Sequence, residues 1–375
     1  MNTLVLKNVF KRYDSKKKIF KKQKVNPFAV NDFSLECKEG EFVGILGPSG
    51  CGKSTTLRMI AGLEDITDGD IIISDRRIND LHPKDREIGL AFEDYALYPP
   101  LSVYDNIAFN LRAKKVDEDT IKKEIEKIAP MLKVDDLLQH KPVSLSGGQK
   151  QRVNIARAIV RKPKLLLLDE PLSHLDGKMR QILRTEIKRL HKEIACTTII
   201  VTHDQLEAMS LSDRIAIMQD GKLQQFGTPK EIYDDPANEF VAGFIGEPPM
   251  NLVKVGIHAH DGVFLFSFPG SDLTIPVPER YYRVVHDGMT VRLGIRPTDI
   301  RIAGKNSAGS FTQVTVSESL GEEHRLHFRI GEEYLTMITS EKIKSRAGDV
   351  VKLNILSEKT HLFDLGTGEK IRTEE

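Results

Sequence analysis

The chain is poor in cysteine. Three occur in 375 residues (Cys37, Cys51 and Cys196), with no C-x-x-C pair, so neither a disulfide framework nor a cysteine-held zinc site is supported. That usage suits a reducing cytoplasm. Net charge is also nearly absent, at +1, which gives no global pull toward nucleic acid or an anionic membrane. Long apolar runs are missing: Leu165 to Leu168 and Ile199 to Val201 are far too short to span a bilayer. The opening MNTLVLKNVFKRYDSKKK has no apolar h-region and predicts no signal peptide. It reads instead as a strand with Leu4, Leu6 and Val9 on one side. Any membrane role must therefore pass through a partner.

What is present is ordinary for a soluble globular protein: 40% apolar and 29% charged residues. The length is too great for one ordinary core and predicts two domains or three. Residues 41–46 (EFVGIL) form a short apolar run ending before a glycine loop, as a buried strand should. The following TTLRMIAG reads as a helix, with Leu57, Ile60 and Ala61 inward and Gly62 as its stop. Residues 118–132 and 178–194 have helical spacing and many charges, so surface helices are expected there. LLLLD (165–169) and TTIIVT (197–202) are continuously apolar and predict buried parallel strands. The alternation argues for an α/β core through about residue 235.

After Phe240 the texture changes. Met289, Val291, Leu293 and Ile295 alternate with polar residues, as do Leu326, Phe328 and Ile330, and Val351, Leu353 and Ile355. Short strands separated by Gly, Asp and Pro turns predict a small antiparallel barrel or sandwich. The expected boundary lies near Gly246-Glu247-Pro248-Pro249. One odd segment, Lys16 to Lys24 (KKKIFKKQK), reads as a solvated hairpin extension in the early strands.

Two phosphate-binding sequences stand in the one chain. Gly47-Pro48-Ser49-Gly50-Cys51-Gly52-Lys53-Ser54-Thr55 matches G-x-x-x-x-G-K-[ST], between the expected strand and helix. Its glycine-rich backbone cradles a nucleotide triphosphate, Lys53 neutralises the β- and γ-phosphates, and Ser54 ligates Mg²⁺. Such a site needs a carboxylate at a neighbouring strand end, and Leu165-Leu166-Leu167-Leu168-Asp169 supplies it. Asp169 should serve Mg²⁺, and Glu170 is placed to polarise the attacking water as general base. His203 ends the next strand. A lone strand-end histidine is more often structural, but its expected nearness to the γ-phosphate favours a sensing role. The second sequence, Leu145-Ser146-Gly147-Gly148-Gln149, is a turn opening a helix, either a plain N-cap or a second anion site. One nucleotide does not need both from the same chain.

LSGGQ followed by KQR, then LLLLDEP, Ser173-His174-Leu175-Asp176 and VTHD, together resemble an ABC-type ATPase. ALYPPLSVYDN (96–106), FVAGFIGEPPMN (240–251), LGIRPTDI (293–300) and SLGEE (319–323) resemble the ATP-binding subunits of bacterial maltose and multiple-sugar importers. The resemblance implies a P-loop NTPase domain over 1–238 with a helical subdomain at about 94–160. An all-β, OB-type regulatory domain should follow over 239–375. It implies that Tyr13 stacks on adenine and that Ser49, Gly50, Cys51, Gly52, Lys53, Ser54 and Thr55 hold phosphate. Ser146, Gly147, Gly148 and Gln149 should complete the site of a second subunit, and Asp176 should communicate across that dimer. The cofactors implied are ATP and Mg²⁺.

Three positions depart from the family pattern. Glu93 (in Ala91-Phe92-Glu93) stands where the family has a glutamine that contacts Mg²⁺; a carboxylate still suits a hard cation but adds negative charge, so altered turnover is expected. Pro100 replaces a histidine, and His174 an asparagine.

The implied partners are a second copy or a related ATPase subunit and two membrane permease subunits facing 93–112. A solute-binding protein outside the membrane acts indirectly, and the chain sits at the cytoplasmic face. Importers of polyamines, iron or phosphonate have related ATPases, so the solute stays open. A non-transport ABC ATPase acting on DNA or ribosomes is the other class. Residues 251–375 carry 16 Lys/Arg against 17 Asp/Glu, a net −1, without the basic footprint of nucleic-acid binding.

Overall fold

Alternation of apolar side chains brings the first two strands together. In β1 (Asn2–Arg12), Leu4, Leu6 and Val9 are fully buried, and β1 pairs antiparallel with β2 (Phe28–Lys38). The computed structural model describes residues 2–13, 28–303, 310–341 and 345–373. The basic stretch 16–24 lies outside the described residues.

β3 (Phe42–Leu46) is buried at every position. Its chain continues through the lysine loop into α1 (Lys53–Ala61), which ends on a left-handed Gly62. β4 (Asp68–Ile73) and β5 (Arg76–Arg77) complete a four-stranded antiparallel sheet in the order β2-β1-β4-β5. Next come β6 (Ile88–Ala91), α2 (Val103–Ala113), α3 (Glu118–Met131) and α4 (Gly147–Ile159). Then follow β7 (Leu165–Asp169), α5 (Gly177–Ile194), β8 (Thr197–Thr202), α6 (Gln205–Leu211), β9 (Arg214–Gln219) and β10 (Lys222–Gly227).

The second sheet has the order β10-β9-β3-β8-β7-β6. All its pairs are parallel except the β10–β9 edge. Sequence-distant strands lie side by side, so the chain ends of β3, β7 and β8 converge on one edge. That is where open α/β sheets place their ligands. Burying each leucine of β7 contributes roughly 1.5–3 kcal/mol. One apolar cluster joins α2, α3 and α4 to the sheet, taking in Ile107, Ile121, Ile125 and Val153 with Leu166 and Leu168 of β7.

The chain divides into two compact units, Met1–Lys230 and Glu231–Glu375. The second opens with α7 (Pro229–Asp234), shared across the division, and α8 (Glu239–Phe244). These helical turns join the β-rich part because Arg296 holds them. Its buried guanidinium donates to the carbonyls of Ile245 and Tyr233, each at 2.5 Å, and lies 4.1 Å from the Tyr233 ring.

The remaining elements are β11 (Asn251–His260), β12 (Val263–Ser267), β13 (Thr274–Pro276), β14 (Thr290–Ile295) and β15 (Ile300–Ile302). They continue with β16 (Ser310–Ser319), β17 (His324–Ile330), β18 (Glu333–Thr339), β19 (Val350–Ile355) and β20 (His361–Phe363). Two five-stranded sheets result, β13-β12-β11-β14-β20 and β15-β19-β16-β17-β18. They share one core, with Val255, Phe266 and Leu293 from the first and Phe328, Leu335 and Leu353 from the second. From Asn251 onward the described part of the unit is all-β apart from short 3₁₀ turns, as expected, with its two sheets packed about that one core.

His361 in β20 is half-buried. Burial, with Lys370 and Arg296 nearby, pushes its imidazole from 6.5 down to about 4. The unfolded chain therefore binds a proton that the folded unit refuses, and stability falls as pH drops from 6.5 toward 4. The unfolding temperature of this unit should decline across that interval. His361→Gln should flatten the decline; an unchanged slope would refute the assignment.

Candidate active site

The lysine loop follows from its neighbours' backbone. Gly52 sits at φ +110, and a Cβ there would lie 2.3 Å from the Ala29 carbonyl oxygen. Only glycine fits that approach. Cys51 donates its N–H to the Pro48 carbonyl at 3.3 Å and accepts from Gly221 N–H at 2.9 Å, closing the loop on itself and on the turn between β9 and β10. Lys53 is buried, and its ammonium donates back to the carbonyls of Gly47 (2.9 Å) and Pro48 (3.0 Å). The charge is held over the loop it serves. Ser54 and Thr55 follow Lys53 in the first turn of α1, and Thr56 donates its hydroxyl to the Gly52 carbonyl at 3.0 Å.

At the end of β7, Asp169 is 7% exposed, and its Oδ1 has no hydrogen-bond partner among the described residues. Burial raises its carboxyl above the usual range; Glu93 and Glu170 add to the rise, while Arg58 and a hydrogen bond with Ser54 oppose it. An enclosed carboxylate with one orphan oxygen beside a serine hydroxyl is a fit for a hard cation. Among the described residues no group of three or more His, Cys, Asp or Glu side chains could hold a metal. Mg²⁺ here would need nucleotide oxygens as its remaining ligands.

Glu170 has φ +41, an uncommon conformation for a residue with a side chain. Its N–H donates to the Val201 carbonyl at 2.9 Å, which fixes the turn. Its carboxylate oxygen Oε2 lies 2.9 Å from His203 Nδ1. The structure thus brings together Lys53, Ser54, Asp169, Glu170 and His203 at one sheet edge. Tyr13 is less constrained. It follows Arg12, which pairs with Phe28, the neighbour of the Ala29 that abuts Gly52; its half-exposed ring has the Lys11 ammonium 4.9 Å from its centroid.

The second motif is a capping box. Ser146 caps α4: its hydroxyl accepts from Gln149 N–H at 3.3 Å, and the Gln149 side chain accepts from Ser146 N–H at 2.9 Å. The hydroxyl hydrogen of Ser146 stays available to donate. A Cβ on Gly147 would lie 3.1 Å from Leu175 Cδ2, and one on Gly148 2.9 Å from Met179 Sδ, so this turn packs against the start of α5. Asp176 is the N-cap of α5, accepting from Met179 N–H at 3.0 Å.

Two features escaped sequence reasoning. α4 grips the loop after β6: Asn154 donates to the Phe92 carbonyl at 2.8 Å, and Arg157 to those of Tyr95 (2.9 Å) and Ala96. The signal was a buried polar row, Gln151, Asn154 and Arg157, repeating every three residues along an otherwise apolar helix face. Ser173 was also unassigned; its hydroxyl lies 3.4 Å from Glu93 Oε1 and donates to the Glu170 carbonyl at 3.0 Å.

Residues 30–173 match the family model of the ABC transporter, and residues 246–300 match that of the MalK OB fold domain. The chain is 45% identical over 359 residues to the trehalose/maltose import ATP-binding protein MalK of Thermococcus litoralis, covering 92% of this chain and 95% of that one. The chain belongs to the ABC transporter family. Identity to the oligosaccharides import ATP-binding protein MsmX of Bacillus subtilis is 42% over 381 residues, covering 99% of this chain and all of the relative. Among solved structures, the ATP-binding cassette MJ0796, a dimer in a post-hydrolysis state bound to ADP and Pi, aligns with TM-score 0.53 and 34% identity. It covers 60% of this chain and 98% of that one. This ABC protein is an ATP-hydrolysing enzyme, and among its described residues no helix is long and apolar enough to cross a membrane.

Gly52→Ala should weaken ATP binding by roughly tenfold or more, since the clash must displace loop backbone rather than a mobile side chain. A titration with a fluorescent ATP analogue checks it, and affinity within twofold of the parent would contradict the packing described.

Proposed function

We propose that this chain is the ATP-hydrolysing subunit that powers import of sugars or oligosaccharides. It works as a dimer around two ATP molecules, at the cytoplasmic face of separate membrane permease subunits. The observation that carries the reading is the buried Asp169 with its unpartnered oxygen, beside Ser54 and one residue before Glu170. Ser54 and Asp169 would hold Mg²⁺, with Glu93 a third oxygen ligand. When bound, that ion neutralises phosphate charge during transfer.

The chain's own groups supply the rest. Lys53 moves from the carbonyls of Gly47 and Pro48 onto the β- and γ-phosphates. Glu170 accepts the proton of the attacking water, and His203 holds that carboxylate in line while sensing the γ-phosphate. Tyr13 stacks on adenine. Ser146, Gly147, Gly148 and Gln149 offer a helix N-terminus to the γ-phosphate bound by the other subunit, and Asp176 stands at the same subunit contact.

Sugar as the solute class is supported by likeness along nearly the whole chain to importers of maltose, trehalose and oligosaccharides. sn-Glycerol-3-phosphate import proteins, such as that of Bordetella pertussis at 40% identity over 382 residues, widen the class. No residue of this chain recognises the solute in this reading, so selection rests with the permeases and an extracytoplasmic binding protein. A groove of about 280 Å³, lined by Leu63, Pro83, Leu90, Ala96, Tyr98 and Asn110, supports permease docking at 93–112. Tyr98 and Phe109 there are 42% and 41% exposed.

Glu170→Gln should cut ATP hydrolysis by roughly 10²–10⁴-fold, the usual worth of a general base, while preserving ATP binding and trapping a closed dimer. A variant that stays monomeric with ATP, or hydrolyses at the parent rate, would overturn the reading.

A further inference from the structure

Glu93 and His174, two of the positions where the sequence leaves its family's pattern, meet in space. His174 Nε2 lies 3.5 Å from Glu93 Oε1, and the Ser173 hydroxyl reaches the same oxygen at 3.4 Å. Glu93 follows β6, and His174 lies in the turn between β7 and α5, so the contact joins segments 80 residues apart. The backbone on one side is fixed by Asn154 and Arg157, which hold the carbonyls of Phe92, Tyr95 and Ala96. On the other, Ser173 N–H donates to the Glu170 carbonyl at 3.2 Å. Tyr95 packs edge-on to the His174 ring at 6.4 Å.

The two side chains are chemically complementary. A carboxylate only accepts hydrogen bonds, whereas an amide also donates. A glutamate at 93 therefore calls for a donor on the facing turn; the His174 imidazole nitrogen, 3.5 Å away, is the group placed to give one, beside the Ser173 hydroxyl, whose hydrogen goes to the Glu170 carbonyl. It also places a third carboxylate beside Asp169 and Glu170, and its charge already acts on Asp169. An unscreened charge there opposes an anionic nucleotide. Both side chains are about half exposed, so the pair is not needed to fill a core.

We propose that His174 is a positioning residue for Glu93: together with Ser173 it draws the Glu93 carboxylate onto the 173–176 turn. Only Oε1 is engaged there, so the other carboxylate oxygen stays available to the cation, and Glu93 and His174 act as one unit in hydrolysis. The inference rests on the ATPase reading above. It also supplies a side-chain link between the loop expected to face the permease and the turn expected to face the second subunit.

The test is a double-mutant cycle in the full chain, reading kcat and KM for ATP at saturating Mg²⁺. His174→Asn alone should lower kcat at least about fivefold with KM within twofold, a coupling of ordinary size for contacting residues. In the Glu93→Gln background the same substitution should change kcat less than twofold. Equal losses in both backgrounds, or no loss in either, would overturn the pairing. Unchanged unfolding temperatures in all variants exclude a folding defect as the source of a loss. Failure of the underlying reading is distinguishable: the unsubstituted chain would then not hydrolyse ATP, or its rate would not depend on Glu170.

Discussion

A carboxylate held out of water at the end of a buried strand sets the terms for the rest of the molecule. Asp169 is carried there by four leucines that have no other place to go than between β6 and β8. Enclosure makes its charge unfavourable, two neighbouring carboxylates add to the difficulty, and Ser54 satisfies only part of its bonding. Such a group is stable with a proton or with a cation. The parallel sheet, by bringing β3 alongside β8 and β8 alongside β7, delivers the lysine loop to the same edge and so makes the cation-plus-phosphate solution available.

The Ser146-Gly147-Gly148-Gln149 turn is first of all a self-sufficient helix end. Ser146 and Gln149 satisfy each other's backbone donors, so the helix end is stable alone. The N–H groups that a capping box leaves free, and the hydroxyl hydrogen of Ser146, are those a phosphate would take. Close packing of Gly147 and Gly148 against Leu175 and Met179 ties that helix end to the turn that carries Ser173, His174 and Asp176. In the proposed dimer, this turn would join the two half-sites that one chain carries.

Local patterns carried much of this architecture. The lysine loop, β7, β8 and the Gly62 stop of α1 were legible because each is decided by nearest neighbours: continuous burial, a glycine at positive φ, a fixed motif spacing. The period-2 strands of the second unit were legible for the same reason. The compact division at Lys230/Glu231 was not, since it depends on Arg296 reaching back to carbonyls more than fifty residues away. Nor was the Glu93–His174 contact, which exists only because β6 and β7 are adjacent in the sheet. Sequence reading found both residues as departures and had no means of pairing them.

The central claim is that each nucleotide is held between two copies, one giving Lys53 and the other Ser146. It is tested most directly by mixing two defective chains, Lys53→Ala and Ser146→Arg, each also carrying Glu170→Gln so that bound ATP is not consumed. Alone, neither should retain ATP through gel filtration. An equimolar mixture should yield a dimer retaining one ATP, because the mixed pair still assembles one intact site. A mixture that retains none, or Ser146→Arg chains that retain ATP by themselves, would contradict a site shared between subunits.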